Sequence, residues 1–123
     1  MHAAARVLQV LVVDDEPLIR WSIAETLGAA GHQVREAQDA ASALDAIGRT
    51  PDVDLVLLDF RLPDSNDLGL LAKIRQLAPR AHVILMTAFG TADVTAGALS
   101  LGAMKVLNKP FDMRELEDVA RAL

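Results

Sequence analysis

Apolar runs of strand length alternate five times with segments whose apolar residues recur every three or four positions. Val7 to Val13 is the first run, and Pro17 to Ala30 follows with Ile19, Ile23 and Leu27 on one helical face. Proline suits a first helical position and Gly31 a helix end, so this stretch predicts a first strand and helix. Gln33 to Ala37 reads as a second, more polar strand suited to a sheet edge. Asp39 can cap a second helix, Ala40 to Ile47, closed by Gly48. The third strand, Asp54 to Asp59, lies within the stretch VDLVLLDFRLP, Val53 to Pro63. Its run of Val53, Leu55, Val56, Leu57 and Leu58 suits a strand covered on both faces. A third helix is expected from about Asp67 to Leu77, with Leu70, Ile74 and Leu77 on one side and Pro79 beyond its end.

His82 to Met86 reads as strand four and Ala103 to Leu107 as strand five. Helix four, about Ala92 to Leu101, is poor in helix formers: Val94, Thr95, Gly97 and Ser100. Gly97 alone costs about 1 kcal/mol relative to alanine. Asp112 and Glu115 have capping-box spacing ahead of helix five, Met113 to Leu123, whose Leu116, Val119 and Leu123 face inward. Five such units predict an α/β fold, one parallel sheet with helices on both faces. No linker, repeat or low-complexity tract interrupts them.

Composition narrows the function classes. The 123 residues make one domain, and 52% are hydrophobic, enough for a core. With no cysteine, disulfides and thiolate metal sites are excluded, which fits a reducing cytoplasm. The apolar runs are too short to span a membrane and no signal-peptide pattern opens the chain, so a cytoplasmic location is expected. The net charge is −5, without a basic stripe or stacking aromatics, so these residues are not expected to contact nucleic acid. His2, His32 and His82 are scattered and read as surface or strand-edge residues. Trp21 lies off the inward face of helix one and reads as a packed surface aromatic.

Candidate chemistry gathers at the strand ends. Strand one runs into Asp14-Asp15-Glu16, and strand three ends in Asp59. In a parallel sheet these ends share one edge, where open α/β sheets place their ligands. Taken alone, each of these residues also suits a capping or solvated turn. Like charges about 4 Å apart cost on the order of 1 kcal/mol in water and about 4 kcal/mol at an effective dielectric of 20. A fold that gathers them needs compensation, and a hard divalent cation such as Mg²⁺, which keeps several waters, is the natural one. Strand four ends in Met86-Thr87-Ala88, a hydroxyl able to bind an oxyanion beside a small residue. Asn108-Lys109-Pro110 follows strand five, and lysine is a common phosphate binder. Separately Thr87 and Lys109 are ordinary. Together the strand ends supply carboxylates, a hydroxyl and an ammonium, a set able to bind Mg²⁺ and a phosphoryl group with one carboxylate as nucleophile.

In order and placement, Asp14-Asp15, Asp59, Thr87 and Lys109-Pro110 closely resemble the receiver domain of two-component response regulators, across essentially the whole chain. The resemblance implies a doubly wound, flavodoxin-like or CheY-like sheet with strand order 2-1-3-4-5. It implies Asp59 as phospho-acceptor, Thr87 and Lys109 on the phosphoryl oxygens, and a cis peptide at Lys109-Pro110. It implies Mg²⁺ held by Asp14, Asp15, Asp59 and the backbone carbonyl of Arg61, with Asp15 direct and Asp14 more water-mediated. Met86-Thr87-Ala88-Phe89-Gly90 and Lys109-Pro110-Phe111-Asp112 look most like receivers of NtrC-type transcriptional activators. The partner implied is a sensor histidine kinase. The output implied is a switch of the surface formed by helix four, strand five and helix five, with dimerisation or control of following ATPase and DNA-binding domains. The chain is accordingly expected to be one receiver domain, residues 1–123, cut from a longer regulator. It is not expected to be an enzyme beyond its own phosphorylation and dephosphorylation.

Two positions depart from the family pattern. Many receivers carry an aromatic on strand five three residues before the lysine, where this chain has Val106, so Thr87, its loop and helix four are expected to carry more of the switch. Asp67 stands where a glycine is usual after Pro63, a turn that aspartate can make by left-handed backbone or by capping, with Asp64 and Asp67 facing solvent. Two rival readings remain at this point. A Mg²⁺-dependent phosphatase resembling the haloacid dehalogenase group would want a second aspartate where Arg61 stands, and arginine does not give up a proton. A receiver-like interaction module that is never phosphorylated is favoured only by Val106.

Overall fold

The computed structural model describes residues 6–123. The elements are β1 (Gln9–Val13), α1 (Pro17–Ala29), β2 (Gln33–Ala37), α2 (Ala40–Arg49) and β3 (Leu55–Asp59). They continue as α3 (Gly69–Leu77), β4 (His82–Thr87), α4 (Ala92–Ser100), β5 (Lys105–Asn108) and α5 (Met113–Ala122). The strands are parallel throughout and lie in the order β2-β1-β3-β4-β5, as the resemblance implies. His2 lies outside the described residues.

The continuous apolar runs are explained by the sheet's two covers. Alternate residues of the central strands enter opposite cores. Leu11, Val13, Val56, Leu58, Val83 and Leu85 pack with Ala43, Ile47, Leu71 and Ile74 of α2 and α3. Val10, Val12, Leu55, Leu57, Ile84 and Met86 pack with Ile23 and Leu27 of α1 and with Leu116 of α5. Beyond their first residues, Gln9 and His82, neither face of β1, β3 or β4 reaches water, so no polar alternation is needed. The edge strand β2 is largely exposed, which accounts for its polar sequence. Among the described residues no helix is long and apolar enough to cross a membrane.

Several boundaries differ from the sequence reading. α2 runs through Gly48 to Arg49 and ends at Thr50. Gly48 sits in ordinary helical backbone, and Pro51 stops the helix by disfavouring helical geometry in the residue before it. Leu77 is 49% exposed rather than inward, because the chain leaves α3 there and Ala78, four residues after Ile74, takes the buried position. Asp112 accepts the Arg114 N–H at 2.9 Å instead of forming a box with Glu115. A reciprocal capping box forms at α2, where Asp39 accepts the Ser42 N–H at 2.7 Å and the Ser42 hydroxyl accepts the Asp39 N–H at 3.3 Å. Trp21 lies off the inward face of α1 and is 56% exposed.

The loop after β3 also differs. No non-glycine residue described has a left-handed backbone, so Asp67 closes its turn by accepting the Gly69 N–H at 2.8 Å. Asp64 is surface-exposed but not free. Its two carboxylate oxygens accept the Ala40 and Ala41 N–H groups at 2.8 and 3.1 Å, capping α2 from another loop. Asp64→Ala is therefore expected to cost about 1 kcal/mol, the usual worth of a cap. Urea titration of the two proteins measures it, and an unchanged midpoint would count against the cap.

Candidate functional site

Four strand ends build the site at one sheet edge. The β1 ladder extends one residue past the strand, with the Asp14 N–H donating to the Ala37 carbonyl at 3.1 Å. That bond sets Asp14 below the surface, where it is fully buried. Its Oδ1 accepts the Glu16 N–H at 2.9 Å, which turns the chain outward and leaves Asp15 and Glu16 exposed. Asp59 closes β3 in register with Met86 and is 6% exposed, and its Oδ1 accepts the Arg61 N–H at 3.3 Å. The Lys109 N–H donates to the Thr87 carbonyl at 2.7 Å, which carries the β4–β5 pairing into the site.

Lys109 joins these ends. Its Nζ lies 2.8 Å from Asp14 Oδ2, 3.3 Å from Asp59 Oδ2 and 3.4 Å from Glu16 Oε1. Asp14, Asp15, Glu16 and Asp59 each offer an oxygen within 4.8 Å of the others. Burial first, then the charge of Asp14, pushes the Asp59 carboxyl up to about 6, against the opposing pull of Lys109 and the Arg61 N–H. Burial pulls the Lys109 ammonium down, but the Asp14 hydrogen bond and the charges of Asp59 and Asp14 outweigh it and leave it raised. Lys109 thus stays charged while it holds two buried carboxylates together.

The donor set suits Mg²⁺. Every candidate ligand is a hard oxygen, and the exposure of Asp15 and Glu16 leaves open positions for the waters this ion retains. Four carboxylates face one ammonium, so further positive charge is wanted there.

The acidic residues and Lys109 singled out in the sequence come together. Thr87 stands at the same edge and is buried, but its Oγ1 accepts the Phe89 N–H at 3.2 Å and makes no bond to the acids. Arg61 is exposed, with its guanidinium 5.5 Å from the centre of the Phe89 ring. The Lys109-Pro110 peptide is cis. Glu16 belongs to the cluster although the sequence reading gave it no role; its place directly after two aspartates was the available signal. Val106 is half-buried beside α4. The groove beside Lys109 holds about 350 Å³ and runs between Ile19 of α1 and Phe111 and Met113.

Residues 10–121 match the family described as response regulator receiver domain. The chain is 40% identical over 116 residues to the response regulator protein PilR of Pseudomonas aeruginosa, covering 94% of this chain and 26% of that protein. It is 40% identical over 107 residues to the DNA-binding transcriptional regulator NtrC of Escherichia coli, covering 86% of this chain and 22% of that protein. The receiver domain of NtrX from Brucella abortus has the same fold with a TM-score of 0.83 and 37% identity, covering 92% of this chain and 95% of that one. The chain thus spans only a minor part of the length of PilR and NtrC.

Proposed function

The chain belongs to the response regulator receiver domain family and is related to the receivers of NtrC and PilR, and from that premise we propose that Asp59 accepts a phosphoryl group from the phosphohistidine of a partner kinase. The observation that carries this reading is a buried acceptor carboxylate with an ammonium 3.3 Å from its oxygen. An Asp59 oxygen attacks phosphorus, the P–N bond to the imidazole breaks, and the imidazole leaves with the electron pair and takes a proton. Lys109 is in reach of the new phosphoryl oxygens if it releases Asp14. Thr87 joins by giving up the Phe89 N–H. Asp14, Asp15, Asp59 and the Arg61 carbonyl would hold Mg²⁺, with Glu16 beside them. When bound, the ion neutralises charge on the attacking carboxylate and the phosphoryl oxygens.

On this reading the domain catalyses only its own phosphorylation and dephosphorylation, in the cytoplasm. The exposed Leu18 and Trp21, three residues apart on α1, offer the kinase an apolar surface. The output is a changed α4–β5–α5 face, which alters dimerisation or contact with ATPase and DNA-binding domains in a longer parent protein. The test is incubation with Mg²⁺ and a small acyl phosphate, read by intact mass. A phosphoryl adduct in the parent and none in Asp59→Asn supports the reading. Steady donor turnover without an adduct would favour a phosphatase, and no reaction at all an interaction module.

With Val106 in place of an aromatic, α4 is the element placed to move. Only Ala98 of α4 is buried. A Cβ on Gly97 would meet Leu68 Cδ1 at 2.8 Å, the far end of a flexible side chain. Leu68 lies in the loop from β3, so α4 touches the segment that follows the acceptor. That leucine tip is half-buried and can turn aside. Gly97→Ala is expected to stabilise the domain by up to about 1 kcal/mol through helix propensity and to slow hydrogen exchange of α4 amides. Faster exchange there would mean that the close approach outweighs propensity.

A further inference from the structure

One basic residue near the site is left unexplained by the proposed reaction. Arg20 sits in the first turn of α1, where the helix dipole favours acidic side chains. Its side chain is only 17% exposed. One guanidinium nitrogen, Nη1, donates to the Asp14 carbonyl at 2.7 Å, while Nε donates to Glu36 Oε1 at 3.1 Å. Glu36 lies on β2, the strand that pairs with β1.

We infer that Arg20 is a positioning residue for the acidic site: tethered to Glu36, it holds the Asp14 carbonyl and so fixes the turn that presents Asp14, Asp15 and Glu16 to Asp59. The inference rests on the proposed metal and phosphoryl site. The turn is held from two sides. Inside, the Asp14 carboxylate accepts the Glu16 N–H. Outside, the Asp14 carbonyl has left the sheet ladder and takes its donor from Arg20. The planar guanidinium serves two acceptors at once in a fixed fork, which a lysine cannot reproduce.

Charge and position predict opposite results, which makes the role testable. Arg20 is a cation close to a site that gathers cations. If it acted only through charge, its removal would lessen repulsion and tighten Mg²⁺ binding. If it positions the turn, removal loosens the ligands and weakens binding. Groups that orient metal ligands typically contribute about 10–100-fold in metal affinity. Arg20→Met keeps the packed stem and removes every donor.

The experiment is Mg²⁺ titration by calorimetry together with hydrogen exchange of the metal-free protein. For Arg20→Met we expect about tenfold weaker Mg²⁺ binding and faster exchange at the Glu16 amide, with α1 amides beyond the first turn unchanged. Arg20→Lys is expected to fall between parent and Arg20→Met on both readouts, and it replaces Arg20→Met should that variant fail to fold. Unchanged or tighter Mg²⁺ binding, or unchanged exchange at Glu16, would overturn the inference. A parent that binds no Mg²⁺ would end the metal-site reading instead, and the Glu16 amide would still decide on Arg20.

Discussion

Lys109→Met is expected to cost the metal-free domain about 3 kcal/mol, because removing one partner of a buried ion pair leaves the other charges uncompensated. Asp14 is fully buried and Asp59 nearly so, and both take their ammonium from Lys109. The loss is bounded, since Asp59, already pushed up to about 6, can relieve part of the strain by taking a proton. Mg²⁺ is expected to restore much of the lost stability, because a ligand bound only by the folded state adds to it by mass action. Urea unfolding in chelator and in excess Mg²⁺ measures both effects. A metal-free loss under about 1 kcal/mol, within the range of an exposed pair, would show that Lys109 is not needed to hold the carboxylates together. The variant is also expected to lose phosphoryl uptake or the response to it, whatever Mg²⁺ does for its stability.

Asp59→Asn is expected to act in the opposite direction and stabilise the metal-free domain at neutral pH. The Asp59 carboxyl moves from its ordinary 3.8 to about 6 on folding. The folded state therefore holds this proton more tightly than the unfolded state. The stability that results is fully present below about pH 4 and is lost as pH rises through about 6. At pH 7 the ionised carboxylate is a net cost in the folded chain. The cost of that ionised carboxylate, discounted for the site's opening to solvent through Asp15 and Glu16, is about 1–2 kcal/mol. The variant-minus-parent stability difference should therefore grow between pH 4 and pH 7, then shrink or reverse in saturating Mg²⁺. A flat difference across that range would mean that the carboxylate is not strained. The double variant Asp59→Asn, Lys109→Met is expected to lose less than Lys109→Met alone, a coupling that a double-mutant cycle reads directly.

These two substitutions bear on the same tension. Four carboxylates are gathered in one cluster, three of them on the Lys109 ammonium, and that arrangement is costly until more positive charge arrives. The strain centres on Asp59, the residue proposed to receive the phosphoryl group. On the proposed function, Mg²⁺ affinity, phosphorylation and stability would all be linked through this one cluster.

Much of this was readable from the chain. The apolar runs and helix-period segments gave all ten elements, because burial on both faces of a parallel sheet demands continuous apolar strands. The acid pair, Asp59 and Lys109 could be assigned to one edge because parallel strands put their ends together. Element ends were less legible. Gly48 looked like a helix end, yet the stop came from Pro51. Leu77 fitted the periodicity of α3, yet it is the last residue of the helix, and Ala78 just beyond it takes the buried position. The capping box predicted at Asp112 formed instead at Asp39, with serine where glutamate or glutamine is usual. Local patterns list the groups able to cap, and the surrounding geometry selects among them.

The order of apolar and polar residues by itself determined the strands, the helices and the edge where chemistry gathers, since each follows from periods of two or 3.6 residues and from the direction of parallel strands. Only the tertiary structure decided that Lys109 bonds Asp14 most closely, that Asp64 caps α2, and that Arg20 reaches back to the Asp14 carbonyl. Such contacts join residues far apart in sequence or on different elements. Their partners are set by a few ångströms of packing, which no local pattern along the chain encodes.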